Sequence, residues 1–357
     1  MTSAPVSERG RNLALLTALA VPAAAVVAIA ISSVFSRSSD QVGWDLRVAY
    51  LPAAEAILDG RSPYDSALAE ADIRRAYVYP PQLAEALTPL AALPADVAAF
   101  LALLGCLGAL VGALALVGVR DLRCYAAIFL WAPTWNAIDT LNVSCLLALG
   151  VALCWRWRST LWPLAAVLGT MLSLKLFVWP LVVWAGIVGR RLAACLAVVV
   201  AGLLVLTSWL VVGLDGIREY PSLLEKVARQ DSYAVAAVLD KVGLGSVGTI
   251  AAVGLALVLL VYVYRRRGNA AVSLLIATVA ALASSPVVWL HYLVLLIAPI
   301  GVLRPRFSVL WLLPVLLWAV PTAESGNGLR PFLPAVVVAA LALAVLRPGP
   351  PSVVEAS

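Results

Sequence analysis

The run LALLTALAVPAAAVVAIAISSVF (residues 13–35) decides the fold class of this chain. It is apolar almost throughout and exceeds the roughly 20 residues that an α-helix needs to cross a bilayer. It is too long for the apolar part of a signal peptide, and its end, Ser32-Ser33-Val34, is a poor cleavage site. We therefore expect residues 1–35 to form a first transmembrane helix that the protein retains.

Apolar runs of similar character recur along the rest of the chain. The sequence is 63% hydrophobic and only 12% charged, whereas soluble domains are about half apolar and a quarter charged. We therefore expect one integral membrane domain over residues 1–357, an all-α polytopic transmembrane helical bundle of about twelve spans. Residues 36–81 are predicted to form a first outer loop and residues 82–346 the remaining bundle. Further spans are predicted near residues 95–118, 124–138, 142–155, 160–173, 176–189, 192–213, 247–264, 270–285, 287–303, 308–321 and 331–346.

Short basic clusters mark every second loop. They are Arg9/Arg11, Arg120/Arg123, Arg156/Arg158, Arg190/Arg191, Arg265–Arg267, Arg304/Arg306 and Arg347. Because cytoplasmic loops carry the excess of Lys and Arg, both termini are predicted to be cytoplasmic and the acidic loops to lie outside the plasma membrane. The arginines are scattered over separate loops instead of forming one face, so nucleic-acid binding is excluded and the bilayer is the expected partner.

The first outer loop has a helical pattern of its own. Apolar residues between Leu46 and Leu58 recur at helical spacing, which predicts an amphipathic helix at the membrane interface. Gly60 is the predicted stop of that helix, and residues 62–65 form the predicted turn. Residues 83–93, closed by Pro94, are too short to span and are predicted to be re-entrant or interfacial. A second outer loop, residues 214–246, also has helical patterning.

Ionisable and polar groups from distant parts of the chain are predicted to meet at the outer face. Charges at membrane depth are costly, so each is a candidate for function. The candidates are Asp45, Arg47, Asp139, Asn142, Lys175 and His291. Their convergence on one face is the reason to expect an active site there.

Four motifs, in order along the chain, resemble the glycosyltransferase 87 family. Gly43-Trp44-Asp45-Leu46-Arg47-Val48-Ala49-Tyr50 followed by Gly60-Arg61-Ser62-Pro63-Tyr64-Asp65 is similar to the loop signature of that family. The other three motifs are Tyr79-Pro80-Pro81, Leu174-Lys175-Leu176, and Ser285-Pro286 with Trp289 and His291. The resemblance covers about residues 40–305. Members of the family are polyprenyl-phosphate-mannose-dependent α-mannosyltransferases of the GT-C class, so a GT-C fold is implied.

The resemblance implies roles for individual residues. It makes Asp45 the general base that deprotonates the acceptor hydroxyl, which then attacks the anomeric carbon of the lipid-phosphate sugar in one inverting step. Cations near the leaving phosphate are expected to be Lys175, His291 and Arg47. The remaining substrate-binding candidates are Trp44, Tyr50 and Trp289. The sequence departs from the family at Leu290 and Tyr292, where members often have an acid and a second histidine. His291 is therefore the single histidine of this motif, and a role that needs two histidines is not expected.

Simpler roles stay open for several of these residues. Asp45 is also a favoured helix N-cap, Lys175 can extend to the lipid headgroups, and His291 can be a satisfied buried histidine. Arg47 can pair with Asp45 or with lipid phosphate. Asp40 is the rival carboxylate, and Tyr64 and Asp65 fit a turn.

Other functions also stay open on the sequence alone. The alternatives are a GT-C transferase that uses another polyprenyl-phosphate sugar such as arabinose, a transporter or flippase, and a non-catalytic scaffold. The acceptor is expected to be a lipid-linked or cell-envelope glycan. The five cysteines lie in apolar segments and predict no disulfide framework. No spacing of acids is specific to a metal, so neither a metal nor a cofactor is expected.

Overall fold

The structure of the chain is a computed structural model, and it describes residues 8–36, 42–64, 70–214, 216–228, 232–320 and 332–346. The expectations for Asp40, Asp65 and the two chain ends lie outside these residues. Throughout the described ranges every regular element is helical, which confirms the all-α class. All five cysteines are free.

The α-helices are numbered here in chain order. They are α1 (Glu8–Val34), α2 (Leu51–Leu58), α3 (Pro81–Ala91), α4 (Ala95–Leu116), α5 (Leu122–Phe129), α6 (Ala132–Thr140), α7 (Ser144–Arg156), α8 (Leu161–Leu174), α9 (Trp179–Ile187), α10 (Arg191–Val212), α11 (Gly216–Ala228), α12 (Val235–Asp240), α13 (Gly245–Arg265), α14 (Ala270–Ser284), α15 (Ile297–Leu303) and α16 (Leu333–Leu346). A π-helical turn (Leu46–Tyr50) precedes α2. The 3-10 segments are Ile73–Arg75, Leu176–Val178, Leu290–Leu296 and Val309–Ala319.

Four described helices are long and apolar enough to cross a membrane: α1 from Asn12, α4, α10 and α13. The pair α6 and α7 makes a fifth if it is counted as one span, although the two helices meet at 119°. The other apolar helices are shorter. Several of the predicted spans are therefore short or broken helices, and the apolar helices are those of a membrane protein.

The predicted span over residues 124–138 is wrong as one continuous helix. It is divided into α5 and α6 at Trp131, whose backbone is extended (φ −71°, ψ 130°). Pro133 lies in the first turn of α6, where its missing N–H costs no helical hydrogen bond. The predicted spans over residues 287–303 and 308–321 likewise contain 3-10 stretches instead of uniform α-helix.

Small residues let the helices of the bundle pack closely. The packing pairs include α8 with α10, α4 with α7, and α13 with α14. At Gly169 in α8, an added Cβ would lie 2.6 Å from Val200 and 2.8 Å from the Ala197 carbonyl oxygen in α10. This contact requires glycine, as is common where membrane helices approach each other.

The first loop folds back on the bundle as a helical hairpin. The helix predicted between Leu46 and Leu58 is confirmed as the π-helical turn and α2. The chain leaves α2 through Gly60, which has φ +68° and is the predicted stop. The segment before Pro94, predicted to be re-entrant or interfacial, forms α3, which packs against α2. This hairpin holds the loop carboxylate beside the α6–α7 turn.

Candidate active site

Gly43 fixes the entry of the loop into the site. Its φ is +101°, and an added Cβ would lie 3.0 Å from Leu141 Cδ1, so both conformation and space favour glycine. The Gly43 N–H donates to the Asp139 carbonyl oxygen at 2.6 Å, and its own carbonyl accepts from the Arg47 N–H at 2.8 Å. These two bonds join the start of the π-helical turn to the end of α6 and place Asp45 there.

The α6–α7 turn presents an amide to Asp45. Leu141 adopts a left-handed conformation (φ 50°), which carries the chain from α6 to Asn142. The Asn142 Oδ1 atom accepts from the Ser144 backbone N–H (2.9 Å) and hydroxyl (2.7 Å). Since a backbone N–H can only donate, this assigns the oxygen and the nitrogen of the Asn142 amide. The Asn142 Nδ2 atom therefore donates to Asp45 Oδ2, at 2.5 Å.

Asp45 combines partial burial with an available oxygen. Its side chain is half-buried, and within the described chain its Oδ1 atom has no hydrogen-bond partner. Burial raises the pKa of Asp45 to about 6, against the opposing effects of the Asn142 hydrogen bond and the charge of Lys175. A carboxylate with this pKa is ionised near neutral pH and is a stronger base than an exposed aspartate.

Two tyrosines complete the network around the carboxylate. Tyr50 donates its hydroxyl to the Tyr79 hydroxyl at 2.9 Å. The Asn142 amide also donates to the Tyr50 and Tyr79 hydroxyl oxygens, at 3.0 and 3.4 Å. Tyr79 belongs to the Tyr79-Pro80-Pro81 motif, whose prolines begin α3. The motif thereby connects α3 to the site.

Lys175 lies next to the ring of Tyr79. It ends α8 in an extended conformation (φ −145°, ψ 110°) and is buried. Its Nζ atom donates to the Tyr292 hydroxyl at 2.5 Å. The same atom lies 4.7 Å from the centroid of the Tyr79 ring and 4.0 Å from that of the Tyr292 ring, within the range of cation–π attraction. The ammonium group is therefore held by aromatic neighbours close to Asp45.

His291 reaches the site from the 3-10 segment Leu290–Leu296, which packs against α6. Its ring is buried, and its Nδ1 atom lies 3.0 Å from Asn136 Oδ1. Residues 285–289 are non-helical, with extended backbone at Ser285 and Trp289, so a loop and not the end of an α-helix positions the histidine.

Apart from Lys175, which does not line it, the side chains described above lie around a cavity of about 220 Å³. The predicted site residues that line it are Trp44, Asp45, Tyr50, Trp289 and His291. Asn136, Asn142 and Tyr79 line it as well. The cavity thus brings together residues from the first loop, the α6–α7 turn and the histidine motif.

Arg47 points away from this cavity. Its guanidinium pairs with Asp96 at 2.9 Å and donates to the Val34 carbonyl oxygen, also at 2.9 Å. Its partner is therefore Asp96 of α4 and not Asp45. In this arrangement Arg47 ties the end of α1 to the start of α4.

Asn136 and Tyr292 are site residues that sequence reasoning missed. Asn136 accepts from the backbone and ring of His291, and Tyr292 accepts from Lys175. An amide inside a mostly apolar run, such as Asn136, is a signal that could have been used, because a polar side chain there needs a partner. For Tyr292 the signal was its position in the histidine motif, where members of the family often have a second histidine.

Comparison with known proteins gives one family match. The model of Glycosyltransferase family 87 matches residues 77–286. The matched region contains the Tyr79-Pro80-Pro81 motif, both asparagines of the cavity and Lys175. The chain matches no curated protein and no solved structure.

Proposed function

Because this chain belongs to glycosyltransferase family 87, we propose that it transfers a mannosyl group from polyprenyl-phosphate-mannose to a lipid-linked or cell-envelope glycan. The protein is a glycosyltransferase by its family, and its apolar helices are those of a membrane protein. The identity of the sugar and of the acceptor belongs to the proposal.

The observation that carries the mechanism is the environment of Asp45. Its Oδ2 atom is held by Asn142, its Oδ1 atom has no hydrogen-bond partner among the described residues, and Asp45 lines the cavity of about 220 Å³. Partial burial raises its pKa to about 6. A general base needs this combination of fixed geometry and a pKa near the working pH.

The proposed step is a single displacement with inversion. Asp45 takes the proton of the acceptor hydroxyl as that oxygen forms a bond to the anomeric carbon. The bond between the anomeric carbon and the phosphate oxygen breaks, and its electron pair leaves with polyprenyl phosphate. The products are the glycosylated acceptor, the lipid phosphate and a protonated Asp45, which then releases its proton.

Lys175 is the cation that we assign to the leaving phosphate. It is buried beside Tyr79, whose ring lines the cavity. A buried ammonium group stabilises charge that develops on the phosphate more strongly than an exposed one. Trp44 and Trp289 line the cavity and are proposed to stack on the sugar. Arg47 is proposed to act on the phosphate only if its ion pair with Asp96 opens.

The proposed orientation puts this cavity at the outer face of the plasma membrane. The basic clusters of every second loop assign those loops to the cytoplasm, and Asp45 lies in the first loop of the opposite set. In this arrangement a donor whose polyprenyl tail stays in the bilayer reaches the cavity sideways. The short helices would complete a GT-C bundle of about twelve crossings, since protein contacts can bury segments shorter than about 20 residues.

The test is transfer of radiolabelled mannose from polyprenyl-phosphate-mannose in membranes that contain the protein. Wild type should label membrane lipid or glycan, and Asp45→Asn should not. The matched control is Asp59→Asn, which changes an exposed acid of the same loop and should transfer normally. Polyprenyl-phosphate-arabinose is the competing donor. Preferential transfer of arabinose would reject the mannosyl assignment, and equal activity of wild type and Asp45→Asn would reject the base.

A further inference from the structure

One ring nitrogen of His291 has a hydrogen-bond partner among the described residues, and the other has none. The side chain is only 5% exposed, and it lines the cavity. Nδ1 faces Asn136. Nε2 is buried and has no hydrogen-bond partner among the described residues. Buried polar atoms are nearly always paired, so this nitrogen points to a partner that the bound substrate supplies.

The neighbouring asparagine decides which nitrogen carries the proton. The His291 backbone N–H donates to Asn136 Oδ1 at 3.2 Å. A backbone N–H cannot accept, so the Asn136 atom at this position is the amide oxygen. The same oxygen lies 3.0 Å from Nδ1. An amide oxygen cannot donate, and Nδ1 therefore carries a proton in every charge state that keeps this contact.

The charge of the ring follows from the second nitrogen. If the ring were an imidazolium, Nε2–H would be a buried charged donor without an acceptor. Leaving a buried charge unpaired costs much more than leaving a bare ring nitrogen unpaired. The arrangement therefore favours a neutral ring whose Nε2 offers a lone pair to the cavity.

We propose that His291 binds a sugar hydroxyl as a neutral hydrogen-bond acceptor through Nε2. The inference rests on the proposed glycosyl transfer and assigns His291 a role other than that of a phosphate-binding cation. An ionised phosphate has only acceptor oxygens and cannot donate to a bare nitrogen. A saccharide hydroxyl can, and it comes from either the donor sugar or the acceptor glycan.

His291 is the single histidine of the chain, which gives the proposal a direct spectroscopic test. Protein labelled with ¹⁵N-histidine and purified without a histidine tag gives ring signals from this residue alone. At pH 7 we expect a protonated Nδ1 and a bare Nε2. A doubly protonated ring, or a ring with its proton on Nε2, would overturn the proposal. This readout does not depend on transfer activity.

Transfer assays then identify the hydroxyl. His291→Gln keeps a neutral acceptor, whereas His291→Lys supplies only a cation. We expect His291→Gln to lose about 10-fold and His291→Lys about 100-fold or more in transfer rate, the range for loss of a hydrogen bond in a buried site. Higher activity in His291→Lys than in His291→Gln would overturn the proposal and restore the phosphate role.

Deoxygenated substrates separate the two sources of the hydroxyl. Removing the recognised hydroxyl should slow wild type and His291→Gln, which keep an acceptor, but cause little further loss in His291→Phe, which has none. An effect confined to deoxy donors assigns the hydroxyl to the transferred sugar, and one confined to deoxy acceptors assigns it to the glycan. Equal sensitivity of wild type and His291→Phe to every analogue would contradict the proposal. Absence of transfer by wild type would instead reject the proposed function.

Discussion

Asp45 and Asp121 begin helical segments in two different loops, and they have opposite surroundings. Asp121 accepts from the Arg123 side chain through Nε (2.9 Å) and a terminal nitrogen (2.8 Å). It also accepts from the backbone N–H groups of Arg123 (3.1 Å) and Phe307 (2.9 Å). The Arg123 hydrogen bonds hold the pKa of Asp121 below its usual value, whereas burial raises that of Asp45 to about 6.

The two carboxylates differ in their hydrogen-bond partners and not in their position at the start of a helix. The oxygens of Asp121 are occupied by a cation and by backbone donors, which stabilise the charged form and join the start of α5 to the 304–308 loop. Asp45 has one neutral amide donor and an available oxygen. Only the second arrangement suits a group that must take a proton during each turnover.

The strongest test of this contrast is Asp45→Asn. The amide keeps the size of the side chain but cannot take the proton, so we expect the transfer rate to fall by about 10²–10⁴. The melting temperature in detergent should change little, because the carboxylate has a single hydrogen-bond donor. A variant that melts normally and still transfers sugar at the wild-type rate would refute the assignment of the base.

The pH dependence of transfer sharpens the same contrast. The general base works only when it is ionised, and the pKa of Asp45 is raised to about 6. Activity should therefore fall about 10-fold per pH unit as the pH drops below 6, instead of persisting to about pH 4 as for an ordinary aspartate. Initial rates between pH 8 and pH 5 measure this, with the melting temperature recorded at each pH. A flat profile over that range would contradict the raised pKa.

A smaller effect is expected from Asn142→Ala. The Asn142 hydrogen bond favours the ionised form of Asp45, so its loss should raise the pKa of Asp45 and move the acidic limb of the profile upward, by about 0.5–1 pH unit. The variant also loses a helix-capping interaction with Ser144. Asn269→Ala is the matched control, since Asn269 caps α14 by accepting from the Val272 N–H. An equal shift in both variants would rule out a specific effect of Asn142 on Asp45.

The smallest effect on activity is expected from Asp121→Asn. This change should lower the free energy of unfolding by about 1–3 kcal/mol, the range for hydrogen bonds to a charged group, and leave transfer per folded protein unchanged. Because the folded-state pKa of Asp121 is lowered, its stabilisation is present above about pH 4 and is lost as the pH falls below that value. Thermal melts of wild type and variant, compared at pH 7 and at about pH 2, should therefore converge at the lower pH. A large loss of transfer in a folded variant would contradict a purely structural role.

Local patterns in the sequence were sufficient for the helical class and for the helical segment that follows Asp45. Apolar length predicted α4, α10 and α13 closely, and helical spacing with Gly60 predicted α2. These features depend on neighbours in the chain. The number of spans was harder to predict from the sequence, because helix breaks such as the one at Trp131 depend on tertiary contacts that bury short helices.

The partners inside the site could not be predicted in the same way. Asp45 and Asn142 are 97 residues apart, and Asn136 and His291 are 155 apart. The spacing of residues along the chain does not predict which polar side chains at one membrane face will be in contact. The direction in which a side chain points could not be predicted either. Arg47 is two residues from Asp45 but pairs with Asp96 of α4.

The long separations between hydrogen-bonded partners also order events during synthesis. At about 5–20 residues per second on the ribosome, the 97 residues between Asp45 and Asn142 take about 5–20 s to make. During that time Asp45 has been synthesised but its amide donor has not, and His291 is synthesised later still. A chain that stops before Trp289 lacks part of the cavity lining, so the cavity is complete only after about four fifths of the protein has been made.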